Sequence, residues 1–221
     1  MTPKVTLFGH VNLQAPNPPK IAILLEALGV EYEIVNKELG DGPNGIKGED
    51  FLKINPNGRL PALIDHTNDD FAVWESGAIL LYVAERFDPS GKFIGRTLKE
   101  RAEVWEWLIF QLSGLGPMQG QYFWFMKYHP VKNLDQSVSD RYKNEVHRLY
   151  GVYEKQLEKH DWVALDRFTV ADMANYPWLR TASYAGFDLT KFPKLEAYIA
   201  RLGALPSIKK VYDKAQAPAQ Q

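Results

Sequence analysis

Two neighbouring stretches of the sequence decide the fold: NGRLPALID at Asn57–Asp65 and WESGAIL at Trp74–Leu80. The first contains an apolar run that begins with a proline. Proline has no N–H to give to a sheet ladder, so Pro61 marks a strand edge or a tight turn. The preceding Leu60 is expected to be extended, with its backbone N–H and C=O open to a partner outside the protein. The second stretch places an acid and a hydroxyl, Glu75 and Ser76, at the start of a helix.

These two features together indicate a binding site for a small peptide. An extended backbone can pair with the backbone of a peptide ligand, and a helix N-terminus binds carboxylates. Ordinary N-capping is the alternative for Glu75 and Ser76, because both residue types are common at helix starts. The proline at hairpin distance upstream favours ligand binding.

Composition narrows the class of protein. The 221 residues suffice for one large domain or two small ones. The 26 Lys and Arg residues and 27 Asp and Glu residues give a net charge of −1, which favours neither nucleic acid nor an anionic membrane as a partner. We find no run of about 18 apolar residues that would predict a membrane span. No secretory leader is visible.

The chain has no cysteine, so disulfides, thiolate metal sites and a protein thiol nucleophile are excluded. Any thiol chemistry must use a thiol that arrives with a ligand. This composition is compatible with the cytosol, and we predict a cytoplasmic protein. The five histidines lack the spacing of a zinc site, so no metal is expected.

Periodicity divides the chain into a mixed half and a helical half. Residues 1–87 follow the order strand, helix, strand, helix, strand, strand, helix, with the first two strands parallel and the last two in a hairpin. Residues 88–97 are rich in turn formers and are predicted to be a linker. Residues 98–221 carry helical patterns, and we expect a bundle of five helices at Leu98–Phe110, Val138–Lys159, Val170–Tyr184, Phe192–Leu202 and Pro206–Ala215.

The element order and three motifs resemble the soluble glutathione transferases. The motifs are the proline loop Asn55–Leu63, the segment Glu75–Ile79 and the capping box Thr169–Asp172. The resemblance implies an α/β thioredoxin-like N-terminal domain at 1–87 that binds glutathione. An all-α helical-bundle domain at 98–221 would hold the acceptor substrate, and the protein would be a homodimer.

Finer similarity points to the nu class of bacterial glutathione transferases and, equally, to the globular domain of the fungal nitrogen-regulator prion. It extends over Leu7-Phe8, Ala15–Asn17, Glu75–Leu81, Gly116–Gln121 and Asp140–Tyr142. In that group an Asn lies near the glutathione sulfur, and Asn17 matches its position. The bacterial pattern has a Thr two residues earlier, where this chain has Ala15, so the hydroxyl donor of a Thr-assisted mechanism is missing.

The resemblance implies a role for each residue of the peptide site. Glu75 would pair with the γ-glutamyl ammonium, and Ser76 would take the γ-glutamyl α-carboxylate. The Leu60 backbone would pair with the cysteinyl backbone of glutathione, beside a cis peptide bond to Pro61. A plain edge-strand proline is the alternative, since only about 5–6% of X–Pro bonds are cis.

Asn17 would donate to the bound sulfur. A free thiol has a pKa near 8.5, and each unit of depression needs about 1.36 kcal/mol. A hydrogen bond to a charged group supplies roughly 1.5–3 kcal/mol, so one Asn and the helix dipole could bring the thiol close to neutral pH. The alternative is a cap or turn residue, a common role of Asn beside Pro.

The other ligand contacts are less specific in the sequence. The group usually offers a Gln or His to the glycyl end, but the register places Ile46 there, so Lys47 or Asn44 would substitute. Arg59 matches a residue that reaches a ligand carboxylate; a solvated surface Arg is its alternative. Arg141 matches an Arg that reaches the ligand of the partner subunit; a surface pair with Glu145 is the alternative.

An aromatic-dense segment follows at Met118–Tyr128. Aromatic residues at helical spacing are usually core, but this run has too many large residues in succession to face one way. Some must line a surface or pocket, which suits an apolar acceptor site next to the thiol. The predicted acceptor residues are Met118, Tyr122, Trp124 and Trp178.

Three functions fit these residues. The bound thiolate could be conjugated to an electrophile, or glutathione and its disulfide could supply both sulfurs of a disulfide exchange. A non-catalytic regulator that keeps the glutathione site is the third. A small electrophile or disulfide is therefore the expected partner besides a second copy of the chain.

Overall fold

The computed structural model describes residues 3–10 and 15–216. The chain divides into two compact units, one formed by Met1–Arg96 with Ala204–Gln221 and the other by Thr97–Gly203. No helix in the described ranges is both long and apolar enough to span a membrane. The α-helices in these ranges are α1 Asn17–Leu28, α2 Glu49–Ile54, α3 Ser76–Phe87, α4 Leu98–Phe110, α5 Gly116–Lys127, α6 Gln136–Leu157, α7 Val170–Leu179, α8 Pro193–Gly203 and α9 Pro206–Gln216.

The first unit is built on a four-stranded mixed sheet, which confirms the predicted element order. The strands are β1 Val5–Gly9, β2 Tyr32–Asn36, β3 Ala62–Asp65 and β4 Phe71–Trp74, in the spatial order β2-β1-β3-β4. β1 and β2 are parallel, while β3 runs antiparallel to both β1 and β4. The parallel pair needs a crossover, which α1 supplies, and the antiparallel pair needs only the turn at 66–70.

Helix α1 is buried along its central part. Its residues from Pro18 to Leu25 are all buried, and the helix packs against β1, α3 and α9. A helix with no polar face belongs in a core. Gly29, with a φ of 67°, ends the helix in the left-handed conformation that glycine adopts without strain.

The last helix differs from the sequence expectation, which grouped it with the helical half. α9 packs against α1 in the first unit. Lys210 and Lys214 of α9 form ion pairs with Glu26 of α1 at 2.5 and 2.6 Å. Helical periodicity alone does not say which neighbour a helix covers, so the sequence could not assign α9.

The second unit contains a helix that the sequence prediction missed. α4 does not end the helical stretch, because a π-helical turn at Gln111–Leu115 continues it directly into α5. Two glycines of α5 lie close to the Trp178 ring. A Cβ on Gly120 would lie 3.2 Å from the Trp178 ring, and one on Gly116 would lie 3.5 Å from it. A further difference is that α7 ends at Leu179, before the predicted end at Tyr184.

The predicted capping box at the start of α7 is confirmed. The Thr169 N–H donates to Asp172 Oδ2 at 2.7 Å, and the buried carboxylate also accepts the Tyr198 hydroxyl at 2.6 Å. Burial raises the pKa of Asp172, and these hydrogen bonds oppose that shift. The box joins α7 to α8, so it is a structural element of this unit.

Candidate functional site

The ends of three strands meet at one edge of the sheet. Ala62 pairs with Trp74 at the end of the β3–β4 ladder, so Pro61 and Glu75 are the next residues beyond that end. Phe8 pairs with Ala62 in the β1–β3 ladder, which brings Gly9 to the same edge. The sheet register therefore gathers the proline loop, the start of α3 and the end of β1.

Leu60 presents an open backbone at this edge. The peptide bond from Leu60 to Pro61 is cis, as predicted from the resemblance, and β3 begins only at Ala62. Within the described residues, no recorded hydrogen bond uses the Leu60 N–H or C=O. A buried backbone group without a partner is costly, so this half-buried position suits a ligand that completes the ladder.

Glu75 and Ser76 lie next to this backbone at the start of α3. Glu75 has a φ of 72°, which costs a non-glycine residue about 1–3 kcal/mol and is most often found at functional sites. Its side chain is exposed, and its Oε1 accepts a hydrogen bond from Asn57 Nδ2 at 3.5 Å. The Ser76 side chain is 4% exposed. The strained backbone thus turns the carboxylate outward while the hydroxyl stays buried.

Asn17 is the first residue of α1 and is half-buried. Gly9 and Pro18 bring this helix start to the sheet edge, because a Cβ on Gly9 would lie 3.0 Å from Pro18 Cβ. Pro18 and Pro19 have no N–H, so the first turn offers fewer backbone donors than a usual helix N-terminus. The predicted loop at 11–19 falls partly on residues 11–14, which lie outside the described residues.

The Gly40–Gly48 loop contacts the proline loop through Lys47. The Lys47 ammonium donates to the Asn57 carbonyl at 2.9 Å, and both Lys47 and Asn44 are exposed. Ile46 is buried with Phe51, as expected for a residue that cannot serve a glycyl carboxylate. The exposed Arg59 is held through its carbonyl, which accepts from Asn55 Nδ2 at 2.7 Å.

Lys20 is a charged residue at this site that the sequence reasoning missed. Its side chain is 1% exposed, and its ammonium donates to Ser76 Oγ at 3.4 Å. Burial lowers the pKa of Lys20 to about 7, against the opposing attraction of Glu75. The available signal was a lysine in the first turn of a helix directly before the apolar run IAILL, where a positive charge is unfavourable.

The predicted residues of the second unit lie on α5, α6 and α7. Tyr122 packs against Phe187 with ring centroids 4.7 Å apart, and Trp124 is 43% exposed. Met118 and Trp178 are half-buried. A cleft of about 470 Å³ in this unit is lined by other residues, among them Trp107 and Phe110.

Arg141 is exposed on α6. Its proposed surface partner Glu145 is instead bound by Arg148 with two contacts, at 2.7 and 3.0 Å. The i, i+4 ion pair considered from the sequence is therefore not the arrangement found. No group of three or more potential metal ligands occurs within 3–10 and 15–216.

Comparison with known protein families shows which family this chain belongs to. The family model for the glutathione S-transferase N-terminal domain matches residues 3–85, and that for the C-terminal domain matches residues 115–206. The chain belongs to the glutathione S-transferase family. The fold class and the family predicted from the proline loop are thereby confirmed.

Individual relatives represent both the bacterial and the fungal side of the resemblance. The Escherichia coli disulfide-bond oxidoreductase YfcG is 35% identical over 205 residues, covering 91% of this chain and 92% of that protein. The crystal structure of the Phanerochaete chrysosporium glutathione transferase Ure2p6 with oxidized glutathione has a TM-score of 0.89 and 37% identity, covering 96% of each chain. The nitrogen regulation fragment of the yeast prion protein Ure2p has a TM-score of 0.87 and 32% identity, again covering 96% of each chain.

Glu75 offers a direct test of the sheet-edge site. Replacing it with Ala should weaken glutathione binding at least about tenfold, because a charge-assisted hydrogen bond contributes roughly 1.5–3 kcal/mol. Isothermal titration calorimetry measures the affinity for glutathione. Glu103→Ala, which removes one carboxylate from the other unit, is the matched control. Equal affinities for Glu75→Ala and the unchanged protein would remove Glu75 from the site.

Proposed function

We propose that this chain binds glutathione at the sheet edge and acts as a glutathione-dependent enzyme on its thiol. The observation that carries the proposal is the open Leu60 backbone directly beside Glu75 and Ser76. The cysteinyl backbone of glutathione would extend the sheet at Leu60, as a peptide does in β-augmentation. Its γ-glutamyl ammonium would pair with Glu75 and its α-carboxylate with Ser76.

The glycyl end would reach the loops on the other side of Leu60. Arg59 belongs to the proline loop, and Lys47 contacts that loop at the Asn57 carbonyl. Both are exposed cations, and either can attract a carboxylate. Asn44 is a weaker candidate for this end because its amide carries no charge. This arrangement accounts for both carboxylates of the tripeptide.

Asn17 is proposed to hold the sulfur as a thiolate. Its position at the start of α1, beside the end of β1, supports this role. Because Pro18 and Pro19 supply no N–H, we propose that the side chain and backbone of Asn17 are the groups of that turn that donate to the sulfur. Ala15 adds no hydroxyl, so the chain depends more on Asn17 than a Thr-bearing relative would.

In the first candidate reaction the thiolate attacks an electrophilic carbon. A C–S bond forms, and the leaving group departs with its electron pair, so the products are a glutathione conjugate and the released anion. We propose that Met118, Tyr122, Trp124 and Trp178 bind the apolar part of this electrophile. Their partial exposure supports the proposal, because fully buried rings could not contact a substrate.

In the second candidate reaction the thiolate attacks one sulfur of a disulfide. A mixed disulfide forms, the second sulfur leaves as a thiolate and takes up a proton, and a second glutathione releases the product thiol and oxidized glutathione. The absence of cysteine fits a site that only orients sulfurs brought by its substrates. The disulfide-bond oxidoreductase among the relatives supports the same candidate.

Two rate assays test the proposal. We expect reduction of hydroxyethyl disulfide by glutathione, conjugation of an aromatic chloride, or both, each saturating in glutathione. Disulfide reduction without conjugation would select the second candidate. Glutathione binding with no turnover of either kind would leave only a non-catalytic regulator, and no glutathione binding would reject the site.

Asn17→Ala should lower turnover at least about tenfold, because losing a hydrogen bond to a charged group costs roughly 1.5–3 kcal/mol. Glutathione affinity should be mostly retained, since Leu60, Glu75 and Ser76 still bind the backbone of the tripeptide. Steady-state rates and calorimetry measure the two effects. Asn68→Ala, in the hairpin turn, is the matched control. An unchanged rate would show that Asn17 only starts the helix.

We also propose that the protein is a cytoplasmic homodimer and that Arg141 contacts the glutathione of the partner subunit. Its exposure supports this role, and the direct hydrogen bonds to Glu145 come from Arg148 rather than from Arg141. Mixed dimers with Arg141→Ala on one subunit should contain one impaired site, and therefore about half the activity. Full activity of the doubly substituted dimer, or a monomer in sedimentation analysis, would contradict this proposal.

A further inference from the structure

Lys20 is the least expected charge in the first unit. It lies in the first turn of α1, within a run of buried residues from Pro18 to Leu25. Burying an ammonium is costly, and the positive end of the helix dipole adds to that cost. Charges buried against such opposition are most often found where they serve a ligand or a reaction.

The geometry gives Lys20 a specific target. Its ammonium lies behind Ser76 and donates to Ser76 Oγ at 3.4 Å. A protonated lysine can only donate, so Ser76 must accept this bond and its hydroxyl hydrogen is left for another acceptor. A neutral lysine amine has a lone pair and could instead accept that hydrogen. The protonation of Lys20 therefore decides whether Ser76 offers a donor away from the core.

We propose that Lys20 is a positioning residue for the carboxylate that Ser76 binds: its ammonium directs the Ser76 hydroxyl outward, and the bound carboxylate keeps Lys20 protonated. This inference rests on the proposed glutathione site, in which that carboxylate belongs to the γ-glutamyl group. It adds that the site takes up a proton when it is filled, which neither Ser76 nor the helix N-terminus alone would cause.

Of the charged side chains in the described residues, Glu75 is the one found to act electrostatically on Lys20. β1 carries no charged side chain, and on α3 Tyr82 and Arg86 are directed to Asp65. Other charged residues of the packed helices are exposed or pair with Glu26 of α1; these are Glu85, Lys209, Lys210, Asp213 and Lys214. The attraction of Glu75 raises the pKa of Lys20, and burial, the larger effect, lowers it to about 7.

The affinity for the ligand should depend on pH because binding favours the protonated form of Lys20. Below pH 7 Lys20 is already charged, so binding changes its protonation little. Above pH 7 the empty site has lost the proton, and a bound carboxylate restores it. Affinity should then fall as pH rises from about 7 towards the higher pKa of the complex, by up to about tenfold per pH unit.

S-methylglutathione is the probe for the unchanged protein, because it has no thiol whose ionisation would mask the effect. Calorimetry at pH 8 in phosphate and in Tris buffers, which differ in ionisation enthalpy, measures protons exchanged on binding. We expect an uptake approaching one proton per site at pH 8 and little at pH 6. Binding without proton uptake at pH 8 would overturn the inference. This measurement requires no variant.

Lys20→Met is the second arm, since it keeps the length of the side chain and removes the charge. We expect at least tenfold weaker binding of S-methylglutathione at pH 6.5 and no proton uptake at pH 8. The melting temperature at pH 6.5 should be equal or higher, because a buried charge has been removed. A merely structural lysine would instead lower the melting temperature and leave the proton balance unchanged. Lys210→Met on α9 is the matched control.

The outcomes separate the two proposals. If the unchanged protein and Lys20→Met bind S-methylglutathione with equal affinity, the role of Lys20 is overturned and the proposed function stands. No binding of S-methylglutathione or glutathione by the unchanged protein overturns both. If Lys20→Met does not fold, the proton balance of the unchanged protein decides the inference.

Discussion

The site depends on one covalent constraint, which is that Pro61 has no N–H. The β3 ladder therefore begins at Ala62, and within residues 3–10 and 15–216 no hydrogen bond uses the backbone of the preceding Leu60. Pro61 and Glu75 are the next residues beyond this end of the β3–β4 ladder, so its register brings the start of α3 to the same edge of the sheet. An amide-bearing residue at 61 could extend the ladder by one pair and close the position where we propose that a ligand backbone binds.

A second constraint is the burial of α1. Because this helix lies between β1, α3 and α9, its apolar residues are fixed by packing, and any polar residue in it must have a purpose or a partner. Asn17 lies at the accessible end of the helix, while Lys20 lies one turn further in. Helix α1 thus places the neutral Asn17 near the surface and the charged Lys20 against Ser76 at the start of α3.

Much of the fold was predictable because local signals agreed with the tertiary structure. The parallel pairing of β1 with β2 followed from the strand–helix–strand pattern, and the capping box followed from Thr169 and Asp172. The cis bond at Pro61, in contrast, was expected only from the family resemblance. α5 was missed because its run of large aromatic residues shows no single apolar face, and the structure divides these residues between half-buried and exposed positions. Lys20 was missed because a single lysine in an apolar helix gives no sign of which residue it faces; only the packing of α1 on α3 brings it to Ser76.

The opposite charges at the start of α3 are best understood together. Glu75 is exposed and Lys20 is buried, with Ser76 between them, so the site presents an acceptor for an ammonium in front and a positive charge behind a hydroxyl. A γ-glutamyl group carries both an ammonium and a carboxylate on one carbon and would satisfy both. A ligand with only a carboxylate would lie near Glu75 without a compensating charge, and one with only an ammonium would leave Lys20 unbalanced. Under the proposed binding mode, this charge complementarity would favour the zwitterion over either ion, which is a stricter requirement than a helix N-terminus alone could impose.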